Sequence, residues 1–240
     1  MGYMKFRIIR KLKGLFYVLR LHVFIPSRLF IFLGHMGNLS RWISKNNKQA
    51  GFSDFYQSKH DYNNRYKLYE FLLQKEQLNQ PLDYLEFGVA GGHSFRWWAE
   101  HITDPGALFY GFDTFTGLPE DWGPFKKGDM SNHNAPPALN DQRVKFYQGI
   151  FQTTLLPFLK NYQPNSRRVI HLDADLYSST LYVLFHLTPF IRKGDILLFD
   201  EFSVPMHEFK ALTEWAAANY IEYEVLAGVN NYFCAALKVI

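Results

Sequence analysis

Four short stretches of the chain hold residues whose types and spacing can do chemistry. The first is Leu85-Glu86-Phe87-Gly88-Val89-Ala90-Gly91-Gly92-His93-Ser94. An apolar run ends in glycines and leads into a helical pattern. Such a turn lets a ligand approach the backbone closely and offers it the free N–H groups of a helix start. Its spacing departs from the strict G-x-G-x-x-G dinucleotide pattern. The second stretch, Gly111-Phe112-Asp113, ends the next apolar run with an acid 25 positions after Gly88. A spacing of about 20 is expected across one βαβ unit, where the acid accepts the hydroxyls of a nucleoside ribose. The third and fourth are His171-Leu172-Asp173-Ala174-Asp175-Leu176-Tyr177 and Leu198-Phe199-Asp200-Glu201-Phe202. Both are apolar runs that end in acids. At the carboxyl ends of parallel strands, Asp173, Asp200 and Glu201 are expected to converge. Three neighbouring carboxylates repel one another, and a hard oxygen-seeking cation such as Mg²⁺ relieves that repulsion. Asp175 stands just before a helical pattern, where it either joins the metal or caps the helix.

These acids need a sheet to bring them together, and the chain alternates helical and strand patterns from about residue 60. Helices are predicted over 65–78, 94–101, 176–190 and 205–218. Strands are predicted over 83–87, 107–112, 144–147, 169–172, 195–199, 223–226 and 232–237, the last two turned at 228–231. The implied class is α/β: a Rossmann-like, doubly wound, mainly parallel seven-stranded sheet with an antiparallel C-terminal hairpin and an N-terminal helical extension. Two parts follow, a basic amphipathic N-terminal segment over 1–50 and one domain over 51–240. The stretch Thr114–Asn140 is long and rich in Gly, Pro, Asp and Asn. It reads as a flap that covers a substrate.

In this order, the glycine loop, Gly-Phe-Asp-Thr-Phe-x-Gly-Leu-Pro at Gly111–Pro119, Asp-Ala-Asp-Leu-Tyr-x-Ser-Thr at Asp173–Thr180 and the acidic pair at 200–201 resemble the macrocin O-methyltransferase family. These are class I S-adenosylmethionine (SAM)-dependent enzymes of macrolide-sugar methylation, and the resemblance covers roughly residues 60–225. It implies SAM bound along Glu86, Gly88, Gly91, Gly92, His93 and Ser94, with Phe151 beside them and Asp113 on the ribose. It also implies Mg²⁺ on Asp173, Asp200 and Glu201, and a hydroxyl of a sugar, glycan or natural-product precursor as acceptor. Two positions depart from the family pattern. Glu201 stands where an aspartate is expected, and Gln152 where an acid is expected.

The implied reaction is displacement of the SAM methyl group by an acceptor oxygen, with Asp173 at the reacting centre. His207, shortly after the acidic strand end, is the candidate base; His93, His133 and His171 are alternatives. Two rival readings stand beside it. Asp173-Ala174-Asp175 alone also fits the Asp-x-Asp motif of a metal-dependent glycosyltransferase, and the fold fits a SAM-binding protein without turnover.

The charge pattern bears on partners. Residues 1–53 contain ten Lys and Arg and no acid, so the rest of the chain holds 16 of the 26 cations and all 22 acids. Residues 5–33 mix these cations with large aliphatics, and Arg20, Pro26 and Arg28 break the apolar run. That pattern fits neither a spanning helix nor a signal peptide, and the interleaved aliphatics argue against nucleic acid. It fits a segment lying on the inner face of the membrane, or a helical extension packed on the domain or on a second subunit of a homo-oligomer. The single cysteine, Cys234, lies in an apolar run and reads as a buried inert thiol of a cytoplasmic protein.

Overall fold

The computed structural model describes residues 2–164 and 166–240. The sheet strands are β1 (Phe52–Ser53), β2 (Leu82–Phe87), β3 (Leu108–Asp113), β4 (Val144–Gln148), β5 (Arg167–Leu172), β6 (Ile196–Phe199), β7 (Tyr223–Val229) and β8 (Cys234–Val239). They lie in the order β1-β7-β8-β6-β5-β2-β3-β4. Pairs are parallel except those that β8 makes with β6 and β7. The expected seven strands and C-terminal hairpin are present, and a two-residue eighth strand, β1, joins β7 in parallel.

The helices are α1 (Gly2–Val18), α2 (Ser27–Asn46), α3 (Asn64–Lys75), α4 (His93–His101), α5 (Phe151–Leu159), α6 (Tyr177–Leu187) and α7 (Glu208–Asn219). Because a strand's side chains alternate between faces, one strand feeds two cores. Leu85 and Phe87 of β2 enter a cluster with Phe158 of α5, Leu184 of α6 and Trp215 of α7. Leu82 and Tyr84 enter the opposite cluster with Leu72 of α3 and Trp98 of α4. At about 25 cal/mol per Å² of buried apolar surface, these two layers are the main source of stability.

The chain leaves β2 in one direction through β3 and β4, then returns to place β5 on the other side of β2. The order therefore reverses between β2 and β5. In open α/β sheets a crevice forms at the carboxyl ends of the strands at such a point.

Three local expectations are adjusted. Helix α5 was absent from the sequence pattern, which Pro157 interrupts. Helix α7 begins at Glu208 rather than 205, after turns. Asp175 does not cap α6: its N-cap position is Leu176, and no side chain bonds there. Cys234 is buried, as expected, and donates to the Asp200 carboxylate at 3.1 Å.

Candidate active site

Gly88 sets the bottom of the crevice. Its φ is +97°, and a Cβ built there would stand 1.7 Å from the Asp173 carbonyl oxygen. Only glycine lets the end of β2 press this closely on the end of β5. Asp173 N–H bonds the Phe87 carbonyl at 3.0 Å, and Asp200 N–H bonds that of Leu172 at 3.1 Å, so the three strand ends are tied together.

A cavity of about 360 Å³ opens above them, within the usual range for small-molecule sites. Gly88, Ala90, Asp113, Phe151, Asp173, Asp175 and Glu201 line it, and five residues of the 114–140 stretch close one side. That stretch has no helix or longer strand but is fastened at its base. Phe115 is buried, and its carbonyl accepts from the N–H groups of Asn132 and Asn134 at 3.0 Å.

Asp113 does something the sequence pattern did not suggest. Its Oδ2 accepts the N–H groups of Val89 and Ala90, both at 2.7 Å, and its Oδ1 that of Phe115 at 2.6 Å. It therefore holds the glycine loop in shape while facing the cavity.

The remaining expected cofactor contacts are placed elsewhere. Glu86 and Ser94 are buried and outside the lining. Glu86 accepts from Tyr84 and, at 3.2 Å, from Ser94; the Tyr84 hydroxyl also lies 2.8 Å from His171 Nδ1. This polar cluster lies within the sheet core. Gly91 and His93 are exposed, and Gly92 is buried under Pro137 with φ +76°.

The acids divide differently from the expectation. Asp200 accepts from Arg65 at 2.8 Å, and both side chains are almost fully buried. Arg65 in turn stacks its guanidinium 3.3 Å over the Tyr62 ring, and Tyr62 lines the cavity. Among the described residues, two clusters have ligand atoms within 4.8 Å of one another: His171–Asp173–Asp200 and Asp173–Asp175–Glu201. Asp173 thus meets Asp200 in one cluster and Glu201 in the other, and Asp200 is also paired with Arg65. Asp175 takes its place beside Asp173 and Glu201. Its backbone is left-handed, at φ 57°, a conformation uncommon for a non-glycine residue though one that aspartate tolerates.

Electrostatics follow from this crowding. Burial first, then the neighbouring Asp200 and Asp175, pushes the Asp173 carboxyl well above the usual range. Burial and Asp173 do the same to Glu201. Asp175 is pushed up to about 7 by burial, then by Asp200 and Asp113. Glu201 Oε2 is buried without a hydrogen-bond partner.

His207, the expected base, does not line the cavity. Its Nδ1 accepts the Tyr177 N–H at 3.3 Å, and burial pulls its pKa below the ordinary value. A neutral ring that accepts at Nδ1 carries its proton on Nε2 and has no free lone pair for a substrate proton. His171 is buried in the Tyr84–Glu86 cluster, and His93 and His133 do not line the cavity either.

Residues 85–202 match the family model described as a methyltransferase domain. That region is similar to a methyltransferase domain. The match spans just under half the chain and includes the glycine loop, Asp113 and the acids at 173, 175, 200 and 201. No curated protein matches the sequence. Among solved structures, the calicheamicin methyltransferase CalS11 superposes with a TM-score of 0.56 at 20% identity, covering 89% of this chain and 93% of that one. The O-methyltransferase NovP gives 0.53 at 20% identity, over 74% and 78%. An O-methyltransferase from Bacillus cereus in complex with SAH gives 0.51 at 16% identity, over 86% and 90%. At these identities the likeness shows the shared fold of the methyltransferase domain.

Proposed function

We propose that the protein is a SAM-dependent O-methyltransferase acting on a hydroxyl of a sugar, glycan or natural-product precursor. The carrying observation is that a single cavity is lined by both the glycine loop with its Asp113 and the acids Asp173, Asp175 and Glu201. A nucleoside-containing methyl donor and a hydroxylated acceptor need one space with one end of each kind. The resemblance to the macrocin O-methyltransferase family supports the acceptor class, and the fold shared with the methyltransferase CalS11 and the O-methyltransferase NovP is in keeping with methyl transfer.

When bound, SAM supplies an electrophilic methyl group. The chain's own residues orient the reactants and take up the proton. Gly88 and Ala90 let the donor approach the backbone, Asp113 offers Oδ1 beside the ribose position, and Phe151 gives an apolar wall. The acceptor hydroxyl loses its proton as its oxygen bonds to the methyl carbon, the methyl–sulfur bond breaks and S-adenosylhomocysteine leaves. The carboxyls of Asp173, Asp175 and Glu201 face the cavity; each takes up the proton or, where a cation is bound, serves as its ligand while the proton leaves to solvent. Holding two reactants in register contributes several kcal/mol to such a reaction.

A divalent cation fits the residues present. Glu201 Oε2 is buried without a hydrogen-bond partner beside two crowded carboxyls, and a bound positive charge would relieve both the unmet acceptor and the upward shifts of the three groups. Asp173, Asp175 and Glu201 would hold Mg²⁺, which lowers the pKa of a hydroxyl bound to it. Asp200 would remain with Arg65.

Isothermal titration of SAM into the purified protein, with and without Mg²⁺, tests this reading. Micromolar binding is the expected outcome. Absence of binding in both conditions, with binding of a UDP-sugar in Mn²⁺, would overturn it.

A further inference from the structure

The first two helices raise a separate question, because they do not serve the cavity. All residues from Lys5 to Gly34 are exposed except the half-buried Phe16. A Cβ added at Gly14, Gly34 or Gly37 would meet nothing within 4 Å. The anchor comes only later in α2: Leu39 is buried, and Trp42 packs on Phe202, Phe209 and Tyr232. The preceding segment projects from the domain.

Helix α1 has a clear two-sided pattern. Ile8, Ile9, Leu12, Leu15 and Phe16 recur at the spacing that puts them on one face, and four of the five are more than half exposed. Arg7, Arg10, Lys11 and Gly14 lie on the opposite face. After a short 3₁₀ turn, Leu21–Phe24, the start of α2 adds Leu29, Phe32, Leu33 and Met36 as a second exposed apolar row. Soluble monomers rarely leave contiguous apolar patches of this kind uncovered.

The charges indicate what covers it. Residues 1–53 carry ten cations and no acid, whereas the rest of the chain carries six more acids than cations. A second copy of the acidic domain seated on the apolar row would not reach Arg7, Arg10 and Lys11, which lie on the opposite face of α1. A helix lying in the headgroup region of an anionic bilayer needs an apolar face to insert and cations to pair with lipid phosphates. Among the described residues no helix is long and apolar enough to cross a membrane. The geometry points to residues 5–36 as a surface anchor for anionic lipid bilayers, with the acidic domain held off the surface by its own charge.

Full-length protein is to be floated with vesicles of phosphatidylcholine alone and of phosphatidylcholine mixed with phosphatidylglycerol. Binding to the anionic vesicles at low salt and its loss at high salt is expected, since screening shortens the reach of these charges. Replacing three cations together, R7Q/R10Q/K11Q, should weaken binding to anionic vesicles roughly a hundredfold. L12S/L15S should abolish it at any salt. Neither variant touches a buried residue, so melting temperature and SAM binding should stay at native values and separate this anchor from the catalytic reading. Failure to float with anionic vesicles at low salt overturns the proposal. So does a concentration-dependent dimer by light scattering that L12S/L15S dissolves while vesicle binding is absent, which would assign the face to a second copy. Binding to DNA as tight as to vesicles, and unchanged in L12S/L15S, would leave only charge and also overturn it.

Discussion

Gly88→Ala isolates what the glycine loop contributes. The new Cβ would lie 1.7 Å from the Asp173 carbonyl oxygen and 2.7 Å from its carbon, where ordinary contact begins at 3.4 Å. The end of β5 must therefore retreat by about 1.7 Å, and the atom in the way is backbone, which has no rotamer to adopt. That shift loosens the Asp173–Phe87 and Asp200–Leu172 hydrogen bonds, at 3.0 and 3.1 Å. The left-handed backbone adds about 1–2 kcal/mol for a side chain at φ +97°. Overpacking of this kind costs about 1–3 kcal/mol. With a weakened hydrogen bond at about 1 kcal/mol, the sum is roughly 3–6 kcal/mol. For a chain of this length the melting temperature should fall by roughly 10 °C. Because Asp173 moves with its carbonyl, titrated SAM affinity should fall at least tenfold. Gly91→Ala is the control: its Cβ would meet nothing closer than 3.6 Å, and its stability should stay within about 0.5 kcal/mol of native. If Gly88→Ala melts within about 2 °C of the native protein and binds SAM equally well, the account of the crevice is wrong.

Arg65→Ala leaves the buried Asp200 carboxylate uncompensated and should cost about 3–5 kcal/mol in urea unfolding. Adding Asp200→Asn should restore much of it, and a double variant no better than the single one would refute the pairing. Asp175→Gly relieves a left-handed backbone and one crowded carboxyl, so thermal unfolding should shift upward by a few degrees while methyl transfer drops at least tenfold; loss of both together would show that Asp175 is structural. Burial raises the Asp83 carboxyl above its ordinary value of 3.8, even though Tyr162 donates to it. The folded state thus favours the protonated form. The contribution is fully present below the unfolded value and is lost as pH rises through the folded one. Asp83→Asn should therefore gain stability relative to the native protein at neutral pH, with the gain shrinking on acidification. A gain independent of pH would disprove this.

The elements were largely legible because hydrophobic period and turn chemistry are local. Strand β2 and helix α4 each begin within one residue of their expected starts. Asp113 and Asp173 could be placed at strand ends for the same reason. What escaped were long-range pairings. Strand β1 has two residues and no period, and it exists only because Phe52 and Ser53 meet Ala227 and Gly228. Arg65 reads as an ordinary helical arginine until the fold sets it on Asp200. Asp175 reads equally well as a cap or a ligand, and only its left-handed backbone turns it into the cavity. His207 looked available because sequence does not show that Tyr177 N–H occupies its Nδ1. The absence of acidic neighbours for Lys5–Lys13 was visible in the sequence, but the exposure of both faces of α1 was not.

The stretch from Thr114 to Asn140 has a consequence for how such a domain diversifies. It forms one wall of the cavity, yet it owes the sheet only its two ends and a few buried side chains such as Phe115 and Leu118. The opposite wall is fixed by strand ends that tolerate almost no change at Gly88. Acceptor preference and fold integrity thus sit on different parts of the chain. Under the proposed function, replacing only its middle, 119–130, with a segment of another length is a route to new acceptors that keeps the contacts of Phe115 with Asp113 and of Pro137 with Gly92 at the methyl-donor end.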